Sequence, residues 1–266
     1  FKGYPVQDIA VDPSTGWLWV VNTSVKRVKG YSADLKQSAE ISGLSGPVAL
    51  SADPDGDGLY IIDTVSKQEA RLVHYQPSSG TLSEVTDLTG RGRPPRYVAA
   101  LSGGRAVVAG RELVALSRSG AELWRTRLSH APVAVKASGD VVVTLLSSSE
   151  APAKARSHPD FVPDPLDQVV VHSASTGSQK AKATLRYESR RLTIDAAGRR
   201  AFIGNGGDGS VSIVGLDRAG EPRLIDVANA AEGTVADPRS GRRFVLNRLG
   251  GSEIYAWDSQ GLARFA

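Results

Sequence analysis

Short apolar runs alternate with turns along the whole chain, and one pattern recurs. In each copy an apolar trio leads into a turn that carries Asp, and a β-rich run that ends in Asn or Asp follows. Four clear copies occupy residues 9–22, 50–63, 192–205 and 234–247, and two weaker copies occupy residues 99–108 and 134–144. Six units at a spacing of roughly 35–55 residues are typical of the blades of a β-propeller.

Each unit continues with a third alternating run and, in most units, a more polar fourth run such as residues 36–41 or 122–128. Four short strands separated by Gly, Pro, Asp and Ser turns form one blade. No apolar periodicity of 3.6 residues is sustained, so almost no helix is predicted. The first two strands are apolar, which is typical of strands covered on both faces, and the polar fourth strand is typical of an outer edge.

The predicted fold is therefore an all-β, six-bladed β-propeller with four antiparallel strands per blade. We expect one domain over residues 1–266, with blades near 5–44, 45–91, 92–129, 130–185, 186–230 and 231–266. Residues 1–4 precede a first strand and residues 262–266 begin a fourth one. The sequence thus predicts that the two ends share the last blade and close the ring.

The run after each turn resembles a phrase found in known propellers. Its copies read Trp19-Val20-Val21-Asn22, Tyr60-Ile61-Ile62-Asp63, Phe202-Ile203-Gly204-Asn205 and Phe244-Val245-Leu246-Asn247. These copies resemble the YVTN phrase of bacterial and archaeal β-propeller repeats, and NHL and YWTD propellers are similar. Proteins of this kind are mostly exported, and they range from interaction scaffolds to lactonases and lyases. The resemblance therefore implies a periplasmic, cell-surface or secreted protein.

The composition of the chain excludes several kinds of site and partner. The chain of 266 residues has no Cys, which excludes disulfides, thiolate nucleophiles and Cys-based metal sites. No apolar run approaches the ~20 residues of a membrane-spanning helix. The net charge is +4, but acidic and basic residues are interspersed and form no basic arm, so no nucleic-acid partner is predicted.

Four Asn and Asp side chains recur at the end of the second strand, which in a propeller faces one mouth of the central channel. They are Asn22, Asp63, Asn205 and Asn247. Such a column is able to bind a metal or a polar ligand, and in the lactonase-like hydrolases that it resembles similar residues surround an axial cation. The alternative is that these side chains cap turns by bonding to nearby backbone amides.

The segments that lead into the first strands are expected at the same mouth, and they add Arg96, His130, Arg190 and Glu232 to the predicted ligand-binding set. His130 and Glu232 would suit a base and its partner, since His titrates near neutrality. The alternative is an ordinary surface histidine. No Ser-His-Asp spacing or nucleophile elbow is present, so no catalytic residue is predicted.

Asp53, Asp55 and Asp57 match the first half of an EF-hand-like calcium loop and form a candidate metal site. The ninth and twelfth positions of that loop are Ile61 and Thr64, so the bidentate carboxylate is missing. The alternative is a plain hairpin turn.

Two classes of function remain open at this point. The first is an exported, non-catalytic module that binds a protein, peptide or glycan through its channel-mouth face. The second is a propeller hydrolase or lyase, lactonase-like, with an axial divalent cation. The first class is favoured because the acidic ligand set is incomplete. A long insertion with four prolines, residues 147–167, adds a further loop on the same side.

Overall fold

The computed structural model describes residues 6–56, 58–89, 94–147, 167–185, 189–195, 199–205, 210–217, 222–226, 231–236, 243–247, 254–258 and 261–265. Side chains are described as far as Leu224, with the exception of Arg190. Within these residues the structure contains 24 β-strands and a single 3₁₀ turn, Thr23–Val25. The expected all-β composition is confirmed.

The strands form four-stranded antiparallel sheets in which neighbours in sequence pair with one another. Sheets 1 to 3 contain β1 (Asp8–Val11), β2 (Leu18–Asn22), β3 (Arg27–Tyr31) and β4 (Ser38–Ile41); β5 (Pro47–Ala52), β6 (Leu59–Thr64), β7 (Ala70–Gln76) and β8 (Thr81–Asp87); and β9 (Tyr97–Leu101), β10 (Arg105–Ala109), β11 (Glu112–Leu116) and β12 (Glu122–Arg127).

Sheets 4 to 6 follow the same order. They contain β13 (Ala131–Ser138), β14 (Val141–Ser147), β15 (Gln168–Ser173) and β16 (Gln179–Thr184); β17 (Ser189–Asp195), β18 (Arg200–Asn205), β19 (Ser210–Gly215) and β20 (Arg223–Asp226); and β21 (Ala231–Ala236), β22 (Arg243–Asn247), β23 (Ile254–Asp258) and β24 (Gly261–Phe265). The expected four strands per repeat are confirmed.

Strand β6 shows why the second strands are so apolar. Its side chains alternate between two faces, so Leu59 and Ile61 pack against sheet 1 while Tyr60 and Ile62 pack against sheet 3. All four are fully buried. A strand covered on both faces needs a continuous apolar run rather than an alternating one.

The first strands of neighbouring sheets contact one another, as β1 does with β5 and β5 with β9. Such contacts place the first strands on the inner side of these sheets. The fourth strands are mostly exposed, as the polar residues of β8 and β12 show. Sequence polarity therefore increases from the inner to the outer strands, as the repeat pattern predicts.

Side chains also bridge neighbouring sheets by bonding to backbone atoms. Asp8 Oδ2 accepts from Leu50 N–H at 3.1 Å, and Ser51 Oγ accepts from Ala100 N–H at 3.0 Å. The buried Tyr60 hydroxyl donates to the Gly104 carbonyl at 2.6 Å. These bonds fix the register of sheet 1 on sheet 2 and of sheet 2 on sheet 3.

The predicted number of six blades is wrong, and the predicted closure of the ring by residues 1–4 falls outside the described residues. Among the described residues, shared apolar cores join sheets 1 and 2, sheets 2 and 3, and sheets 4 and 5, which gives five packed blades rather than six. The fourth strand of sheet 6 is β24, which pairs with β23 in an antiparallel register. The described N-terminal residues belong to sheet 1, where Gln7 N–H donates to the Val21 carbonyl at 3.0 Å.

The chain divides into two compact units, which we call the N-terminal unit (residues 1–128, sheets 1 to 3) and the C-terminal unit (residues 129–266, sheets 4 to 6). In the N-terminal unit the core lies between sheets 1 and 2 and between sheets 2 and 3. In the C-terminal unit it lies between sheets 4 and 5. No helix among the described residues is long and apolar enough to cross a membrane.

Candidate functional site

The predicted site lies at one end of the sheets. We call this end of the N-terminal unit the mouth face: it is where β2, β6 and β10 end and where β1, β5 and β9 begin. Neighbouring sheets touch there, since the Thr23 hydroxyl donates to the Pro47 carbonyl at 3.0 Å. The opposite end, which carries the turns between first and second and between third and fourth strands, is called the hairpin face.

Asp63 on the mouth face is fully buried and engaged on both carboxylate oxygens. Oδ1 accepts from the backbone N–H groups of Ser45 and Gly46 at 2.9 and 2.7 Å. Oδ2 accepts from Arg71 Nε and Nη2 at 3.0 and 2.9 Å. The carboxylate therefore holds the segment between sheets 1 and 2 in place, as the capping alternative describes.

Asn22 and Asn205 are also fully buried at the ends of their strands. Asn22 caps the 3₁₀ turn, because its Oδ1 accepts from Val25 N–H at 3.3 Å. Asn205 accepts from the Ser189 hydroxyl at 3.1 Å and donates from Nδ2 to the Ser210 and Ser212 hydroxyls at 2.9 Å each. Both side chains thus bond within their own unit, while Asn22 Nδ2 is buried without a hydrogen-bond partner among the described residues, and a ligand-binding role for them stays a prediction.

The remaining residues of the predicted ligand-binding set do not all lie in the same unit. Arg96 is exposed on the mouth face, where its backbone N–H donates to the Ala109 carbonyl. His130 is half-buried in the C-terminal unit, and its Nδ1 lies 3.0 Å from Ser129 Oγ. The side chains of Arg190, Glu232 and Asn247 lie outside the described residues, and so does the predicted pairing of His130 with Glu232.

The candidate calcium loop forms a turn on the hairpin face. Asp53 Oδ1 accepts from Asp55 N–H at 3.0 Å, while Asp55 Oδ2 accepts from Gly103 N–H of sheet 3 at 2.6 Å. The two carboxylates thus have different backbone partners, and Asp57 lies outside the described residues. Within the described part of the chain no three His, Asp or Glu side chains form a cluster that would hold a metal ion. Calcium binding here stays a prediction.

The mouth face carries a basic surface of which the repeat pattern indicated Arg96 alone. The described connecting segments of this face contain four basic residues, Lys26, Lys67, Arg96 and Arg111, and one acidic residue, Glu69. All four basic side chains are exposed and none forms an ion pair among the described residues. The available signal was the recurrence of a cation shortly after the second strand in each of sheets 1 to 3.

The hairpin face has the opposite balance. Its described connections contain the acidic residues Asp12, Asp34, Asp53 and Asp55 and the basic residues Lys36 and Arg118. The pKa of Asp12 lies below its usual value: burial raises it, but hydrogen bonds from Thr15 and Ser14 outweigh that effect. The two faces of the N-terminal unit therefore differ in the sign of their charge.

No family model matches the chain, and no curated protein matches it by sequence. Solved structures do match. A chain in the mitotic checkpoint complex has 10% identity over 98% of this chain and 76% of its own length, with a TM-score of 0.73. The fold is that of a β-propeller of the WD40-like type. The RRP9 WD40 repeats match with 12% identity over 99% of this propeller and 80% of that chain, at a TM-score of 0.72.

Two further structures extend the comparison. U3-55K matches with 13% identity over 99% of the propeller and 81% of that chain, at a TM-score of 0.71. The hydrazine synthase of Kuenenia stuttgartiensis matches with 14% identity over 99% and 97% of the two chains, at a TM-score of 0.56. These identities show the fold alone, so membership of the YVTN or NHL repeats stays a prediction.

Proposed function

We propose that this propeller is a non-catalytic interaction module that binds an acidic segment of a partner protein through its mouth face. The observation that carries the proposal is the set of four exposed, unpaired cations on that face, opposed by a single acid in the same connections. A surface of one charge sign attracts an oppositely charged partner and accelerates its association.

The internal bonding of the mouth face supports the same function. Asp63 neutralises Arg71 within the fold, so this buried carboxylate is not available to offset Lys26, Lys67, Arg96 and Arg111. None of those four side chains has an ion pair within the described part of the chain that a partner would have to break. Because long, solvated cations bind weakly one at a time, we expect affinity to come from several of them acting together.

The structural comparisons support a binding role by analogy alone. One of the similar structures belongs to the mitotic checkpoint complex, and another is of the RRP9 WD40 repeats. The YVTN-like phrases further support a protein that is exported and works in the periplasm, at the cell surface or as a secreted protein. Fractionation of the native cells, followed by detection of the protein with an antibody, tests that location.

The charge of the mouth face is tested by fluorescence anisotropy with a labelled poly-glutamate peptide. We expect the native protein to bind the peptide more weakly as salt rises, because exposed charges are screened. A variant with Lys26→Glu, Lys67→Glu, Arg96→Glu and Arg111→Glu should lose at least about tenfold in affinity. The control variant, Lys36→Glu with Arg118→Glu, changes charge on the hairpin face and should keep the affinity of the native protein.

Four outcomes would overturn the proposal. The first is an absence of peptide binding by the native protein, and the second is an equal loss in the mouth-face and control variants. The third is a stoichiometric divalent ion found by elemental analysis and required for a hydrolase or lyase activity, which would favour the enzyme alternative. Tighter binding to a single-stranded RNA of similar charge would likewise contradict a protein partner.

A further inference from the structure

A cavity of about 310 Å³ opens on the hairpin face, between sheets 1 and 2. Its wall is formed by the turn before β2, the end of β7 and the turn that follows it. The cavity lies at the opposite end of the N-terminal unit from the basic residues of the mouth face. A ligand in this cavity would therefore not touch the four cations of the mouth face.

Three aromatic rings give the cavity its floor and one side. Trp17 and Trp19 stack with ring centroids 5.8 Å apart and an angle of 29° between their planes. Tyr75 stands edge-on to Trp19 at 5.5 Å and 69°. Trp19 is almost fully buried, whereas Trp17 is half-buried and presents ring surface to the opening.

Hydroxyl groups line the rest of the opening. Ser14 and Thr15 both donate to Asp12 at 2.7 Å, and Thr15 Oγ1 also accepts from Trp17 N–H at 3.3 Å, so the Ser14 hydroxyl is the one that keeps its acceptor lone pairs free of bonds among the described residues. The hydroxyls of Tyr75 and Ser78 have no hydrogen-bond partner among the described residues, so both remain able to donate and accept. The cavity thus combines one accessible aromatic surface with a rim of neutral hydroxyls.

A site with one aromatic surface and a rim of hydroxyls favours some classes of ligand over others. A planar aromatic ligand could stack on Trp17 but not between rings, because the two indoles stack on each other and Tyr75 is tilted, and it would leave the hydroxyls of the rim unused. A quaternary ammonium group needs several ring faces around one point, and here a single face is accessible. A saturated sugar ring has an apolar face of C–H groups to lie on an indole and equatorial hydroxyls to bond to Ser, Thr and Tyr.

We propose that this cavity binds a pyranose ring of a glycan, with the sugar lying on Trp17 and its hydroxyls bonded to the Tyr75 and Ser78 hydroxyls. A volume of about 310 Å³ suits one or two sugar residues. Because the site is shallow and has few contacts, the dissociation constant for one sugar residue is expected to be on the order of a millimolar.

Isothermal titration calorimetry tests the site with glucose, N-acetylglucosamine, galactose, mannose and their β-1,4-linked oligomers. At least one of these sugars should bind the native protein, and Trp17→Ala should weaken that binding by about tenfold. Leu35→Ala is the control, because Leu35 is an exposed apolar residue on the same face that does not line the cavity.

A matched pair of serine variants keeps the test valid if Trp17→Ala fails to fold. Ser78→Ala removes a free hydroxyl at the rim and should weaken sugar binding several-fold, whereas Ser79→Ala removes a hydroxyl already bonded to Thr81 and should not. The proposal is overturned if none of the sugars binds, or if the members of each pair behave alike. Binding of a proline-rich peptide in place of every sugar would also contradict it.

Discussion

Asp63 and Arg71 form an ion pair that joins neighbouring strands of sheet 2. The two residues lie directly opposite each other in the antiparallel pairing of β6 and β7. Asp63 is fully buried and the Arg71 side chain is 28% exposed, with Nη2 at 2.9 Å from Oδ2. Arg71 Nη2 also donates to the Gly43 carbonyl at 2.9 Å, so the pair ties the connection from sheet 1 to the end of the strand.

Removal of this carboxylate should strongly destabilise the fold. Asp63→Ala leaves two backbone N–H groups and a guanidinium without their acceptor, and we expect a loss of about 3 kcal/mol or more in the free energy of unfolding. Glu84→Ala is the matched control, because Glu84 is an exposed partner of the same arginine at 3.5 Å. That variant should lose less than about 1 kcal/mol in urea unfolding. Equal losses in the two variants would show that the buried pair has no special role.

Gly30 is expected to be intolerant of any side chain. A Cβ at this position would lie 2.7 Å from Cζ3 of Trp19, which is its partner across β2 and β3. Gly30→Ala must therefore displace a buried indole, at a cost of about 1–3 kcal/mol. In the background of Trp19→Leu the same change should cost much less, and a double-mutant cycle measured by thermal unfolding would give this coupling. Additive effects of the two changes would contradict the contact.

We expect the folded protein to become less stable as the pH falls, and His172 to contribute to that loss. This imidazole is buried, its Nδ1 lies 3.2 Å from the Gly177 carbonyl, and burial holds its pKa below the usual value of 6.5 although the Gly177 bond acts in the other direction. Below pH 6.5 the unfolded chain takes up a proton more readily than the folded chain. The stabilising contribution of the neutral imidazole is thus complete above that pH and is lost as the pH falls below it.

The contribution of His172 is measured as the difference in melting temperature between pH 7.5 and pH 5. We expect His172→Gln to flatten this dependence, because the variant has no proton to gain on unfolding. His130→Gln, which changes a half-exposed imidazole, serves as the control and should keep the slope of the native protein. An unchanged slope in His172→Gln would assign the pH dependence to other groups.

We expect the Asp53–Asp55 turn to stabilise the contact between sheets 2 and 3 through the bond from Gly103 N–H to Asp55. Asp55→Ala removes the acceptor for Gly103 N–H and should cost about 0.5–1.5 kcal/mol, while Asp55→Asn keeps an oxygen in place and should cost less. We expect the melting temperature of the native protein to be the same in calcium and in chelator. A rise with calcium that Asp55→Asn abolishes would instead establish the EF-hand-like site.

Much of the fold follows from local pattern. The continuous apolar runs around Tyr60 and Phe202 identify buried second strands, and the polar fourth runs identify exposed edges. The positions of Asn22 and Asn205 at strand ends were also predicted correctly, because a turn must follow each β-rich run. These features depend on residues close together in sequence, where strand periodicity is a reliable guide.

The roles of these residues depend on register and packing, which the pattern does not contain. Asp63 finds Arg71 because a hairpin brings them opposite each other, and nothing in the repeated phrase indicates that pairing. Trp17 and Tyr75 line one cavity because sheets 1 and 2 pack face to face. By contrast, the fourth strand predicted to begin within residues 262–266 corresponds to β24, Gly261–Phe265, because its alternating pattern is again local.

The bonds between sheets have a consequence for how such a chain can change over time. Asp8, Ser51, Asp55 and Tyr60 each bond to a backbone atom of the next sheet rather than to one of its side chains. The receiving sheet can therefore exchange its own side chains at those points, one after another, without losing the bond. An architecture joined in this way can keep its shape while its sequence drifts until little more than a tenth of the residues agree with those of another propeller.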